Sequence, residues 1–251
     1  MTDAVSAPPL LLDPERHEAR PAEAVRELGR VVVLAPHADD ESLGCGGTLA
    51  LLARAGQPAH VVVVTDGTGS HPNSAGHPPA RLRSLRETEA QRAVRLLGHG
   101  GRVEFLRFPD SGLPSEGTAA FEAAARRLAG LVDDLRPDTV LVPWRRDPHC
   151  DHVGTWRLAA AGRRPGVRWL EYPVWAWTRP DDPACAPCEG EATAWRLDVS
   201  DVLSTKARAV AAHRSQTSDL IADDPDGFRL GPDALAHFQR PWELFLEPHE
   251  A

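Results

Sequence analysis

Lysine is almost missing from this chain: of its 28 basic residues only Lys206 is lysine, and the rest are arginine. The arginines are interspersed among 36 acidic residues, and the formal net charge is -8. That balance lacks the basic stripe with which a nucleic-acid binder meets phosphates. Long apolar runs are missing too. None approaches the roughly 18 residues of a membrane span, and Met1-Thr2-Asp3-Ala4 opens without the basic and apolar regions of a signal peptide. The four cysteines, Cys45, Cys150, Cys185 and Cys188, are too few and too uneven for a disulfide framework. A reducing cytoplasm is the expected compartment.

What is present fits an ordinary globular protein, with 42% hydrophobic and 25% charged residues in 251. That length buries a core without disulfide or metal staples. Residues 1–29, rich in Pro, Glu and Arg, read as an N-terminal extension, and residues 30–251 as a single domain. Four β-branched runs mark buried strands: Val31–Leu34, Val61–Val64, Val103–Phe108 and Thr139–Val142. Runs without polar alternation indicate strands covered on both faces, hence a parallel sheet. Helical stretches fall between and after them, near Leu43–Ala55, Ala80–Leu97, Thr118–Leu135 and Val153–Ala161. The alternation predicts an α/β, Rossmann-like, doubly wound and mainly parallel sheet. Trp169–Trp177 reads as strand-like, Trp195–Val199 as the last strand, Val202–Ala212 as a helix, and everything after His213 as polar turns.

In such a sheet ligands bind at the carboxyl ends of the strands, beside a topological switch point. A dinucleotide-binding protein would place G-x-G-x-x-G after the first strand. This chain places Pro36-His37-Ala38-Asp39-Asp40-Glu41 there. Three acids repel a pyrophosphate but suit a divalent cation, and His37 and Asp40, three apart, reach one ion from one turn. Asp39 points elsewhere, free to act as a base. The bland alternative is that these acids only cap a helix. Asp147-Pro148-His149-Cys150-Asp151-His152 follows the fourth strand, the neighbour of the first across the switch point. Two metal-competent clusters therefore converge on one crevice at the carboxyl edge, with ligands and the carboxylates that orient them.

On these two motifs the sequence resembles the LmbE-like, or PIG-L, family of metal-dependent de-N-acetylases, which carry P-H-P-D-D-E and H-P-D-H at these places. Arg86-x-x-Glu89-x-x-x-Ala93, Phe108-Pro109-Asp110, Glu171-Tyr172-Pro173-Val174-Trp175, Lys206 and His213-x-Ser215-Gln216 extend the resemblance from about Val31 to Gln216. It implies zinc, with iron(II) as the alternative ion, held by His37, Asp40 and His152. It implies Asp39 as general base, His149 as acid or electrostatic partner, and Asp151 orienting a histidine or Asp39. Arg86 and Asp110 fall on the sugar-binding side, although for Arg86 a structural ion pair is an equal alternative. Ala38 and Cys150 depart from the pattern, each standing in place of a proline. The implied reaction is hydrolysis of an N-acetyl group from an amino sugar, a glycoside or a secondary metabolite. The alternatives are an amidase for a larger amide, such as a thiol-sugar conjugate, and a non-hydrolytic nucleotide-binding protein. Residues 67–79 read either as a lid over the site or as a surface loop. Cys185-Ala186-Pro187-Cys188 lacks the second pair that a structural zinc needs.

Overall fold

The computed structural model describes residues 9–100 and 102–249. One eight-stranded sheet organises them, and five of its seven strand pairings are parallel. Its strands are β1 (Glu18–Arg20), β2 (Val31–Ala35), β3 (Ala59–Thr65), β4 (Val103–Phe108), β5 (Thr139–Pro143), β6 (Arg168–Tyr172), β7 (Ala192–Asp198) and β8 (Trp242–Pro248). They lie in the order β1-β7-β8-β6-β5-β2-β3-β4. The run of valines in β2 splits by pleat. Val31, Val33 and Ala35 enter one hydrophobic cluster, and Val32 and Leu34 enter the other on the opposite face. That division is why the strand is apolar at every position.

Helices cover both faces. They are α1 (Asp40–Arg54), α2 (Pro79–Leu96), α3 (Ala119–Leu135), α4 (Cys150–Ala160), α5 (Leu203–Val210), α6 (Arg214–Thr217) and α7 (Pro232–His237). The chain leaves β2 toward β3 and β4, then returns to pair β5 with the other side of β2. β2 and β5 thus flank the switch point, and the turns that follow them face one crevice. The α1 helix crosses close over the sheet, and a Cβ on Gly44 would overlap the Tyr172 ring. Glycine there lets Tyr172 pass beneath the helix and donate its hydroxyl to Leu34 O at 2.8 Å.

Three elements differ from the sequence expectation. The segment after His213 is not all turns: Trp242–Pro248 forms β8, antiparallel between β6 and β7, so β7 is not the last strand. The aromatic stretch divides, with strand over Arg168–Tyr172 and a short 3-10 helix over Trp175–Thr178. Glu18–Arg20 in the N-terminal segment adds a parallel edge strand beside β7, and Leu10 and Leu11 are buried against Trp144 and Leu246. Backbone pairing recruits that edge, with the Arg20 guanidinium over the Trp195 ring, so its polar side chains gave no strand signal. Among the described residues no helix is long and apolar enough to cross a membrane.

His237, at the end of α7, stacks on Trp177 with ring centroids 4.3 Å apart. Burial, with Arg240 and Lys206 nearby, holds its imidazole down to about 3. The unfolded chain protonates this residue below about pH 6.5 while the folded chain keeps it neutral, so stability falls as the pH drops through that range. The ring is partly exposed, which limits the expected loss through His237 between pH 7 and 5 to about 1 kcal/mol. Urea unfolding of His237→Gln at both pH values should show a loss smaller by about that amount. Parallel losses in the two proteins would contradict it.

Candidate metal centre

The loop after β2 carries Pro36 to Asp39, and α1 begins at Asp40. Asp40 is buried, and its Oδ2 accepts the backbone N–H of His37 at 2.9 Å. The same oxygen lies 3.2 Å from His37 Nδ1 and 3.2 Å from His152 Nε2. His152 comes from the first turn of α4, after β5, so the two motifs meet across the switch point, as the order of the strands leads one to expect. Burial disfavours charge on Asp40, yet His152 and His37 hold its carboxyl well below the usual carboxylate range.

His152 has no exposed surface, and neither of its ring nitrogens makes a hydrogen bond among the described residues. A buried imidazole with both nitrogens unsatisfied calls for an explanation. Nε2 faces the Asp40 carboxylate without hydrogen-bond alignment, and Nδ1 lies 3.4 Å from Asp147 Oδ1. A cation held among His37, Asp40 and His152 would satisfy Nε2, and Asp147, 3.4 Å from Nδ1, would orient the ring from behind, as carboxylates do for metal-bound histidines. The donor set, two imidazoles and a carboxylate, is one that suits zinc. His149 also stands close, with donor nitrogens of His37, His149 and His152 within 4.8 Å of one another.

Asp151 takes the second place behind the centre. Its Oδ2 lies 3.0 Å from His37 Nε2 and accepts the backbone N–H of Ser111 at 2.8 Å. Of the two partners the sequence left open for Asp151, this carboxylate meets a histidine, His37. Burial opposes charge on His37, but Asp110, Asp151 and Asp40 hold its pKa well above the ordinary value. His149 receives no such support. It caps α4, its Nδ1 accepting the Asp151 N–H at 3.2 Å, and burial with the neighbouring His37 and His152 lowers its pKa.

Asp39 is buried beside these groups in a backbone conformation, φ 154°, that only glycine adopts freely. Glu41 holds it there by accepting the Asp39 N–H at 3.0 Å, and Glu41 in turn lies 2.8 Å from His213 Nε2. Burial and Asp40 push the Asp39 carboxyl up to about 6 against the pull of Arg86, His213 and His37. The Arg86 guanidinium donates to Ala38 O and Gly67 O and lies 3.6 Å from Asp39 Oδ1. Asp110 accepts the Gly69 N–H at 2.9 Å, with its other oxygen 3.7 Å from His37 Nε2. Both Arg86 and Asp110 line a cavity of about 350 Å³ that also exposes His37, Asp39, Asp40 and His149. Trp175 and Phe228 add an aromatic surface to the same cavity, in edge-to-face contact at 5.6 Å.

In the sequence reading Asp147 and Phe228 had no role of their own, and Glu41 counted only as one of three acids suited to a cation. Asp147 and Glu41 stand inside the two motifs, but their partners arrive through the fold. Asp147 also accepts the N–H groups of Val174, Trp175 and Ala176, fixing the turn that carries Trp175 to the cavity. The 67–79 segment is tied down: Asp223 accepts from Ser74 Oγ and Gly76 N, and Asp224 from Asn73 N. Cys45, Cys150, Cys185 and Cys188 are all free thiols.

Residues 32–161 match the model of the family described as PIG-L, GlcNAc-PI de-N-acetylase. The chain is 29% identical over 215 residues to 2'-N-acetylparomamine deacetylase of Streptomyces fradiae, covering 76% of this chain and 75% of that protein. It is 31% identical over 243 residues to 1D-myo-inositol 2-acetamido-2-deoxy-alpha-D-glucopyranoside deacetylase of Saccharomonospora viridis, covering 77% and 86%. Its fold is similar to that of N,N'-diacetylchitobiose deacetylase from Pyrococcus horikoshii, with a TM-score of 0.67 at 23% identity over 90% of this chain and 86% of that one.

Proposed function

This chain belongs to the PIG-L, or LmbE-like, family of metal-dependent de-N-acetylases, and from that premise we propose that it hydrolyses the N-acetyl group of an amino sugar within a small glycoside, using zinc. One observation carries the reading: a buried carboxylate, Asp40, lies between two imidazoles with a second carboxylate, Asp39, beside it on the cavity wall. A site that only bound metal would have no use for that second group.

His37, Asp40 and His152 hold the ion in this reading, with Asp151 and Asp147 orienting the two rings. When bound, the ion polarises the acetyl carbonyl and the attacking water. Asp39 accepts the proton of that water as it attacks. Its raised pKa suits the task, since a base is most effective when poised near the working pH. His149, which lines the same cavity, then gives a proton to the departing nitrogen from its imidazolium form, which its lowered pKa makes the stronger acid, so that acetate and a free amine leave. Arg86 and Glu41 hold Asp39 in its strained backbone conformation. Asp110 accepts a hydrogen bond from a sugar hydroxyl, Arg86 adds positive charge to the same wall, and Trp175 with Phe228 gives the apolar face of the ring a surface to stack on.

The test is acetate release from a panel of N-acetylated amino-sugar glycosides. Enzyme stripped with a chelator should lose activity, and zinc should restore it better than iron(II). A metal-replete protein that releases no acetate but cleaves larger amides would replace this reading with the amidase one.

A further inference from the structure

Cys150 stands where the family carries proline, and the reaction above makes no use of it. It is exposed at the start of α4, between two residues of the site. A ring nitrogen of His149, the Sγ of Cys150 and a carboxylate oxygen of Asp151 lie within 4.8 Å of one another. Each has coordinating capacity to spare. Asp151 spends Oδ2 on His37 and Ser111, while Oδ1 has only the Cys150 thiol at 4.0 Å. His149 accepts a single backbone N–H through Nδ1, at 3.2 Å, and its Nε2 makes no hydrogen bond among the described residues.

We propose that His149, Cys150 and Asp151 form a second metal seat, for a soft divalent ion such as zinc or cadmium, and that filling it stops hydrolysis. Thiolate, imidazole and carboxylate around a tetrahedral zinc stand roughly 3.3–3.7 Å apart, so the three donors need to close by about 1 Å. The exposed Cys150 side chain is free to turn for this. On binding, the thiol S–H bond breaks, a sulfur–metal bond forms, and the proton passes to solvent. The thiolate gives the seat its preference for soft ions over magnesium or calcium. His37 keeps its bond to Oδ2, so the first centre is left assembled. The inhibition rests on the proposed acid role of His149: with Nδ1 accepting the Asp151 N–H, metal on Nε2 leaves the ring no proton for the leaving amine.

The probe is cadmium added to enzyme already holding one equivalent of metal. The Cys185→Ser/Cys188→Ser background removes the two other thiols outside the main core. Ultraviolet cadmium–thiolate absorption should rise to one further equivalent, with acetate release falling in step. Adding Cys150→Ser should abolish the absorption, raise the inhibiting concentration roughly tenfold or more, and leave the one-equivalent activity unchanged. No thiolate absorption in the Cys150 protein, or inhibition that Cys150→Ser does not move, would overturn the proposal. Absence of acetate release at one equivalent would overturn the deacetylase reading instead, and the absorption alone would then decide the seat.

Discussion

Replacing Asp39 with asparagine should lower the rate of acetate release by about 10²–10⁴-fold while leaving one metal ion per chain. The amide keeps the size of the side chain but cannot take a proton from water. Glu41 still accepts the backbone N–H of residue 39, so the strained backbone at φ 154° should persist. Arg86 loses its carboxylate partner but keeps Ala38 O and Gly67 O. Asp40→Asn should act differently. Asp40 Oδ2 is the atom that both His37 and His152 face, so its loss should empty the site, and activity should recover in part at high zinc. Metal content and turnover, measured on both variants, separate the roles. If both lose metal alike and keep equal residual activity, the division between base and ligand is wrong.

The sheet and the site were legible to different depths. Continuous β-branched runs announced β2, β3 and β5, because strands covered on both faces need apolar side chains at every position. The switch-point rule then placed the two motifs together before any contact was known. β8 was hidden. Its sequence, Trp242-Glu-Leu-Phe-Leu-Glu-Pro, carries a glutamate at Glu243 that reads as solvent-facing and is in fact buried. It also inserts antiparallel between strands distant in the chain, a pairing that no local pattern encodes. His37, Asp40 and His152 were legible because they stand in two short motifs that the sheet brings together. The groups behind them were not. Asp147 reaches His152 and the Val174–Ala176 turn only once β5, β6 and α4 are assembled. Glu41 likewise reaches His213 across 172 positions.

Lys206→Met should destabilise the fold by about 3 kcal/mol, because it leaves a buried carboxylate without its counter-charge. Lys206 Nζ lies 2.8 Å from Glu243 Oε1, and neither side chain is more than 3% exposed. Glu243 does more than balance this charge. It accepts the backbone N–H groups of Gly47 and Thr48 and the Thr48 hydroxyl, all in the middle of α1. Those three donors soften the loss, which is why the estimate sits at the low end of the range for breaking a buried pair. Methionine keeps the apolar stem of the lysine, which packs over Gly46 on α1, so the change tests charge more than volume. For a chain of this size the melting temperature should fall by roughly 10 °C. Glu243→Gln should cost at least as much, since it strands the lysine and removes an acceptor from α1. The Lys206→Met/Glu243→Gln double variant should cost less than the sum of the two, as expected for groups in one network. Urea unfolding of the four proteins gives the cycle. Strict additivity would mean that the chain's single lysine does not act through Glu243.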